Sequence, residues 1–99
     1  MDNYTVVTND GDEVGHVVGQ ADGSIIVESG LLRKTRHAIP QSFVHVDDPE
    51  QTVRVTISKN VIEDSPKIEN GDPDLAEVAR YYGLAGGFDP AGLSAGNPD

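Results

Sequence analysis

Hydrophobic and polar positions alternate most cleanly in Val53-Arg54-Val55-Thr56-Ile57. Val53, Val55 and Ile57 would face inward, with Arg54 and Thr56 outward, as a half-buried strand requires. The same period-two reading, broken by Gly, Asp and Pro turns, extends back to residue 4. Tyr4 to Thr8 reads as a first strand, followed by the Asp10-Gly11 turn. Val14 to Gly19 is a second, but Val14 and Val17 are three apart, and strict alternation would set them on opposite faces. A bulge near Gly15 restores one shared face. Ala21-Asp22-Gly23 is a turn, Ser24 to Glu28 a third strand, and Ser29-Gly30 a break. Thr35 to Ile39 is a fourth strand ending at Pro40, and Phe43 to Val46 a fifth. Asp47-Asp48-Pro49-Glu50-Gln51 turns the chain into Thr52 to Ile57. The pattern predicts a mainly β fold, a small antiparallel β-barrel or rolled sheet of about six strands. Its expected core is Val6, Val14, Val17, Ile25, Val27, Ile39, Phe43, Val44, Val46, Val53, Val55 and Ile57, with Phe43 as the largest buried side chain.

The period changes after the sixth strand. Residues 1–62 form the expected barrel domain, 63–83 a linker and short C-terminal helix, and 84–99 a tail. Ser58 to Asp74 is polar and acidic, with Ser65-Pro66 and Asn70-Gly71 as breakers. It reads as an extended linker lying on the barrel through Val61, Ile62 and Ile68. A helix is expected at about 73–82, with Asp72 as N-cap, Pro73 in the first helical position and Gly83 at the C-cap. Leu75, Val78, Ala79 and Tyr82 form its apolar stripe. So short a helix must pack on its own barrel or on a second copy. Leu84 to Asp99 is rich in Gly, Ala, Pro, Ser and Asp, with too few large apolar groups to offset ordering entropy, so a disordered tail is expected.

Composition narrows the class of function. The 99 residues suit one domain. Seven Lys and Arg against 17 Asp and Glu give a formal charge of −10. Such a chain repels a phosphate backbone at long range, so no nucleic-acid partner is expected. The cations are not evenly spread: Arg33-Lys34-Thr35-Arg36-His37 is a local basic patch. It reads either as a solvated sheet edge or as a docking patch for an acidic partner or for the chain's own acidic segment. There is no cysteine, which excludes disulfides and fits a reducing interior. The longest apolar run apart from glycine is Ile25-Ile26-Val27, too short to span a membrane. Met1-Asp2-Asn3-Tyr4 carries no signal-peptide features. A soluble cytoplasmic protein is expected.

The candidate chemistry is sparse. His16, His37 and His45 lack the local spacing of a metal site. His45 and Asp47 share one strand face and could meet a ligand. Asn9-Asp10-Gly11-Asp12-Glu13 lacks the spaced ligands and closing Glu of a calcium loop. Ser24, Ser29, Ser42 and Ser58 have no nucleophile-elbow context. No helix follows Gly15 and Gly19 to make a phosphate loop. These residues predict no enzyme, no cofactor and no metal.

The order of three motifs adds a resemblance. Asp10-Gly11-Asp12-Glu13-Val14-Gly15-His16-Val17 is followed by His37-Ala38-Ile39-Pro40-Gln41-Ser42-Phe43-Val44 and then Val53-Arg54-Val55-Thr56-Ile57-Ser58. This resembles the PRC-barrel superfamily, and more closely its small bacterial PRC-barrel-like members of uncharacterised function. Ser65-Pro66 and Tyr81-Tyr82-Gly83 resemble their C-terminal extension. Phe43 stands where Trp is common in those relatives. The superfamily includes the cytoplasmic barrel of the photosynthetic reaction-centre H subunit and a domain of a ribosome maturation factor. The resemblance implies a non-catalytic protein-interaction or adaptor module and carries over no catalytic residue. The expected partner-binding residues are Arg33, Lys34, Arg36 and His37 in the basic patch and Leu75, Val78 and Tyr82 on the helical stripe. Self-association through the barrel edge or that stripe is a further expectation. The alternative is a small-ligand- or metal-responsive domain using His37, His45 and Asp47.

Overall fold

The computed structural model describes residues 1–30 and 32–83. Six strands form one sheet: β1 (Thr5–Thr8), β2 (Glu13–Ala21), β3 (Ser24–Ser29), β4 (Thr35–Pro40), β5 (Val44–Asp47) and β6 (Thr52–Val55). A single 3-10 turn, Gln41–Phe43, joins β4 to β5. Two short helices follow, α1 (Lys59–Asp64) and α2 (Leu75–Tyr81). The expected tail, 84–99, lies outside the described residues.

The sheet order is β4-β3-β2-β1-β6-β5. Four neighbouring pairs are antiparallel, but β1 and β6 run parallel, with Val6 beside Val53 and Thr8 beside Val55. The fold is mainly β, as expected, but the expectation of an antiparallel barrel or rolled sheet is corrected in two respects: the sheet is mixed, and it is not closed into a barrel. The reason is topological. The amino-terminal strand inserts between β2 and β6, and the intervening strands act as the long connection that a parallel pair needs. The outermost strands, β4 and β5, are nevertheless close in sequence. Four Cα steps from Pro40 to Val44 reach at most about 14 Å, whereas a flat six-stranded sheet would hold its edges about 24 Å apart. The sheet must curl so that the end of β4 meets the start of β5.

Two positions in this part of the sheet require glycine. β1 pairs with β2 through Val6 opposite Gly15 and Val7 opposite Glu13, so Val14 is the extra, bulged residue. The bulge puts both Val14 and Val17 in the core, as their spacing required. A Cβ on Gly15 would sit 2.0 Å from the Glu28 carbonyl oxygen, so only glycine lets β2 and β3 approach so closely here. Gly23 takes a positive φ of 71° in the tight turn from β2 to β3.

The core comprises Val6, Val14, Val17, Ile25, Val27, Ile39, Val53, Val55 and Ile62. Four expected members move outward. Phe43, Val44 and Ile57 are only partly buried against it, and Val46 is 44% exposed. Phe43 is thus not the centre of the core; its ring packs against Tyr82 at the core's margin, centroids 5.4 Å apart and planes tilted by 49°. Ile62, expected in an extended linker, is fully buried and belongs to a helix. Ser58 caps α1 by accepting from the Val61 N–H at 3.3 Å, and Pro66 disfavours helical backbone at Ser65, where the helix ends. α2 begins later than expected. Its N-cap is Asp74 rather than Asp72, accepting from the Glu77 N–H at 3.1 Å. The Tyr81 hydroxyl donates to the Val61 carbonyl at 2.6 Å and ties the two helices together. No helix among the described residues is long and apolar enough to cross a membrane.

A candidate cationic docking site

The two sheet edges are treated differently. The outer edge of β4 is covered by the chain after α1: His37 forms a bridge with Lys67, and the Ile68 N–H donates to the Arg36 carbonyl at 2.9 Å. This strap pairs too briefly to count as a seventh strand. It leaves a groove of about 440 Å³ between itself and the start of β4. Arg33, Lys34, Arg36 and Lys67 line it, with Glu69 as the one carboxylate in its walls.

These cations are not equally free. Glu28, on β3, draws in three neighbours: Arg36 Nε at 3.6 Å, His16 Nε2 at 3.7 Å and Lys34 Nζ at 4.0 Å. The Lys34 and Arg36 side chains stay 63% and 53% exposed, so each pair contributes at most about 1 kcal/mol and leaves its cation reachable. Arg33 and Lys67 form no ion pair among the described residues. The groove therefore offers two uncommitted cations and two lightly held ones. Such donors suit carboxylate or phosphate oxygens.

His37 does not belong to this surface. Expected as part of the basic patch, it is 2% exposed. Its partner is Ser65 Oγ, 2.9 Å from Nδ1. The Ser65 hydroxyl already donates to the Ile62 carbonyl at 2.6 Å. Its single proton is therefore spent, and Nδ1 must carry the proton and donate to Ser65. Burial lowers the His37 pKa, and the Lys67 charge adds to this, while the nearby Ser65 and Pro66 backbone and Glu63 oppose it. The pair works as a clamp between β4 and the end of α1, in which the protonated Nδ1 has no lone pair facing the Ser65 hydroxyl.

The helical stripe is likewise used inside the fold. Val78 is 3% exposed and α2 packs on β4, so neither His37 nor Val78 presents a side chain to a partner. Leu75 and Tyr82 are half-buried. The Tyr82 hydroxyl is buried beside Ser65 without a hydrogen bond of good geometry, and desolvation raises its pKa.

A second cleft, of about 450 Å³, lies at the β2 bulge. Its charged walls, Glu13, Glu28, Glu63, Lys34 and Lys59, mix both signs. The residues of the ligand-responsive alternative differ in setting: His37 is buried on β4, whereas His45 and Asp47 are exposed on β5. Among the described residues, no three His, Asp or Glu side chains converge to hold a metal ion.

Of the groove residues, Arg33, Lys34 and Arg36 are visible as a run. Lys67 is not, because it lies 31 positions after Arg36 and only the strap brings them together. Comparison with known protein families and with curated proteins finds no match to the chain.

Proposed function

We propose that the protein is a non-catalytic protein-interaction module of PRC-barrel type that docks an acidic segment of a partner protein in the cationic groove. One observation carries this reading. Four of the chain's seven Lys and Arg line a single groove in a protein of net charge −10. Scattered solvated charges need no such concentration. The surrounding negative field disfavours a long polyanion such as nucleic acid, whereas a short acidic peptide meets only the local cations. A chain without cysteine suits the reducing cytoplasm.

The test is a titration of isotope-labelled protein with a short Asp/Glu-rich peptide, followed by amide shifts. Saturable shifts should concentrate at Arg33, Lys34, Arg36 and Lys67, and affinity should fall as salt rises from about 50 to about 500 mM. The double variant R33E/K67E, altered at two exposed positions, should keep its fold and lose the binding. Equal binding by that variant, or no saturable shift at millimolar peptide, would overturn the proposal.

A further inference from the structure

The other sheet edge is bare. β5 lies at the end of the strand order, and among the described residues no strand pairs with its outer side. Its hydrogen-bonding phase follows from its partner. The Thr56 N–H donates to the Phe43 carbonyl at 3.0 Å, and β5 and β6 pair as His45 with Arg54, Val46 with Val53 and Asp47 with Thr52. Hydrogen-bonded pairs alternate along an antiparallel ladder. His45 and Asp47 therefore turn their backbone groups toward β6, and Val44, Val46 and Asp48 turn theirs outward. The Val44 N–H is already used by the Gln41 carbonyl. Val46, whose side chain is 44% exposed, presents both its N–H and its C=O to the outside.

We propose that this edge pairs antiparallel with β5 of a second copy, about a two-fold axis through Val46. In that register Val46 exchanges both backbone hydrogen bonds with Val46 of the second copy. The Val44 C=O then faces the outward Asp48 N–H of the other chain, and the reverse, so the free Val44 acceptor is used and its committed N–H is not needed. The same register sets His45 directly opposite Asp47 of the second copy, twice, in the non-hydrogen-bonded positions where cross-strand side chains lie closest. Sliding the strands by two residues one way opposes His45 to His45. Sliding them the other way opposes Asp47 to Asp47. A one-residue slip sets an outward N–H against an inward-turned residue and makes no ladder. One register alone satisfies the backbone and pairs unlike groups.

The occupant is thus a second copy of this chain, because the edge is complementary to itself under a two-fold axis. The groups facing His45 from adjoining positions are Asp47 on its own strand and Arg54 on β6. Arg54 favours a carboxylate, rather than a second cation, arriving opposite. The cationic groove lies on the β4 edge, so the pairing neither rests on the docking reading nor blocks it.

The experiment uses the full chain. Sedimentation equilibrium between about 20 µM and about 1 mM should show a monomer giving way to a dimer, with no larger species, since pairing consumes the edge. Hydrogen exchange at the Val46 amide should become protected over the same range. V46P removes the outward N–H and none of the bonds to β6, so it should remain folded while its dissociation constant rises at least about tenfold. H45E opposes like charges and should weaken the dimer by about tenfold, while H45K should preserve it. A monomer at all concentrations, or a V46P dimer as strong as the parent's, overturns the proposal. So does Val46 protection that is already complete at the lowest concentration, which would mean that the edge is covered without a second copy.

Discussion

Ile62→Ala gives the sharpest test of how this fold is held together. Ile62 is the fully buried residue that docks α1 under the sheet. The substitution removes three carbon atoms beyond Cβ. At about 0.8 kcal/mol per buried CH₂, the lost transfer energy is about 2.4 kcal/mol. A cavity term follows, because α1 is held at both ends and cannot collapse freely: Ser58 caps it and the His37–Ser65 clamp closes it. The expected total is about 3–4 kcal/mol, against a total stability of about 5–10 kcal/mol for a small domain. Urea unfolding followed by circular dichroism measures it directly. With a slope of about 1 kcal/mol per molar, the midpoint should fall by about 3 M. Val61→Ala supplies the control, since its side chain is 38% exposed one residue away on the same helix. It should cost under about 1 kcal/mol. Equal losses in the two variants, or a loss below about 1 kcal/mol for Ile62→Ala, would refute the assignment of Ile62 to the core.

Two further outcomes follow from the buried polar cluster. Burial lowers the pKa of His37 from its ordinary 6.5, so the folded state takes up a proton less readily than the unfolded chain. Stability should therefore be full above about pH 6.5 and fall as pH drops below it, by at most about 1.4 kcal/mol per unit, until the lowered folded value is reached. Urea midpoints at pH 7.5 and 5.5 measure this; a midpoint that rises on acidification would contradict it. Tyr82→Phe removes a buried hydroxyl that lies beside Ser65 without a hydrogen bond of good geometry, while keeping the ring contact with Phe43. It should leave the melting temperature unchanged or raise it, and a drop of several degrees would show that the hydroxyl has a partner.

Much of the sheet was legible because its signals are local. Alternation in Val53 to Val55, the Asp22-Gly23 turn and the three-residue spacing of Val14 and Val17 each act within a few residues, and the strands form where those signals lie. Helix α1 was not legible. It spans six residues and buries only Ile62, so it shows no periodic stripe, and its polar composition reads equally as a linker. Once Ile62 finds a gap beneath the sheet, burial decides between helix and coil, and the Ser58 cap merely favours the outcome. Phe43 erred the other way. Its size marked it for the centre, but the turn joining β4 to β5 holds it at the rim, where Tyr82 covers it.

The candidate site divides along the same line. By itself the sequence determined a run of cations, an excess of acid, the absence of cysteine and a predominantly β chain. Those properties depend on composition and on neighbours in the chain. Which cations share a groove was decided only when the strap folded along β4 and brought Lys67 to Arg33 and Arg36. That same step took His37 off the surface, although it belongs to the same sequence run. The parallel pairing of β1 with β6 and the bare edge of β5 are likewise properties of strand order. Strand order is set by burying the most apolar surface at the least chain cost, a sum over distant residues that no local pattern records.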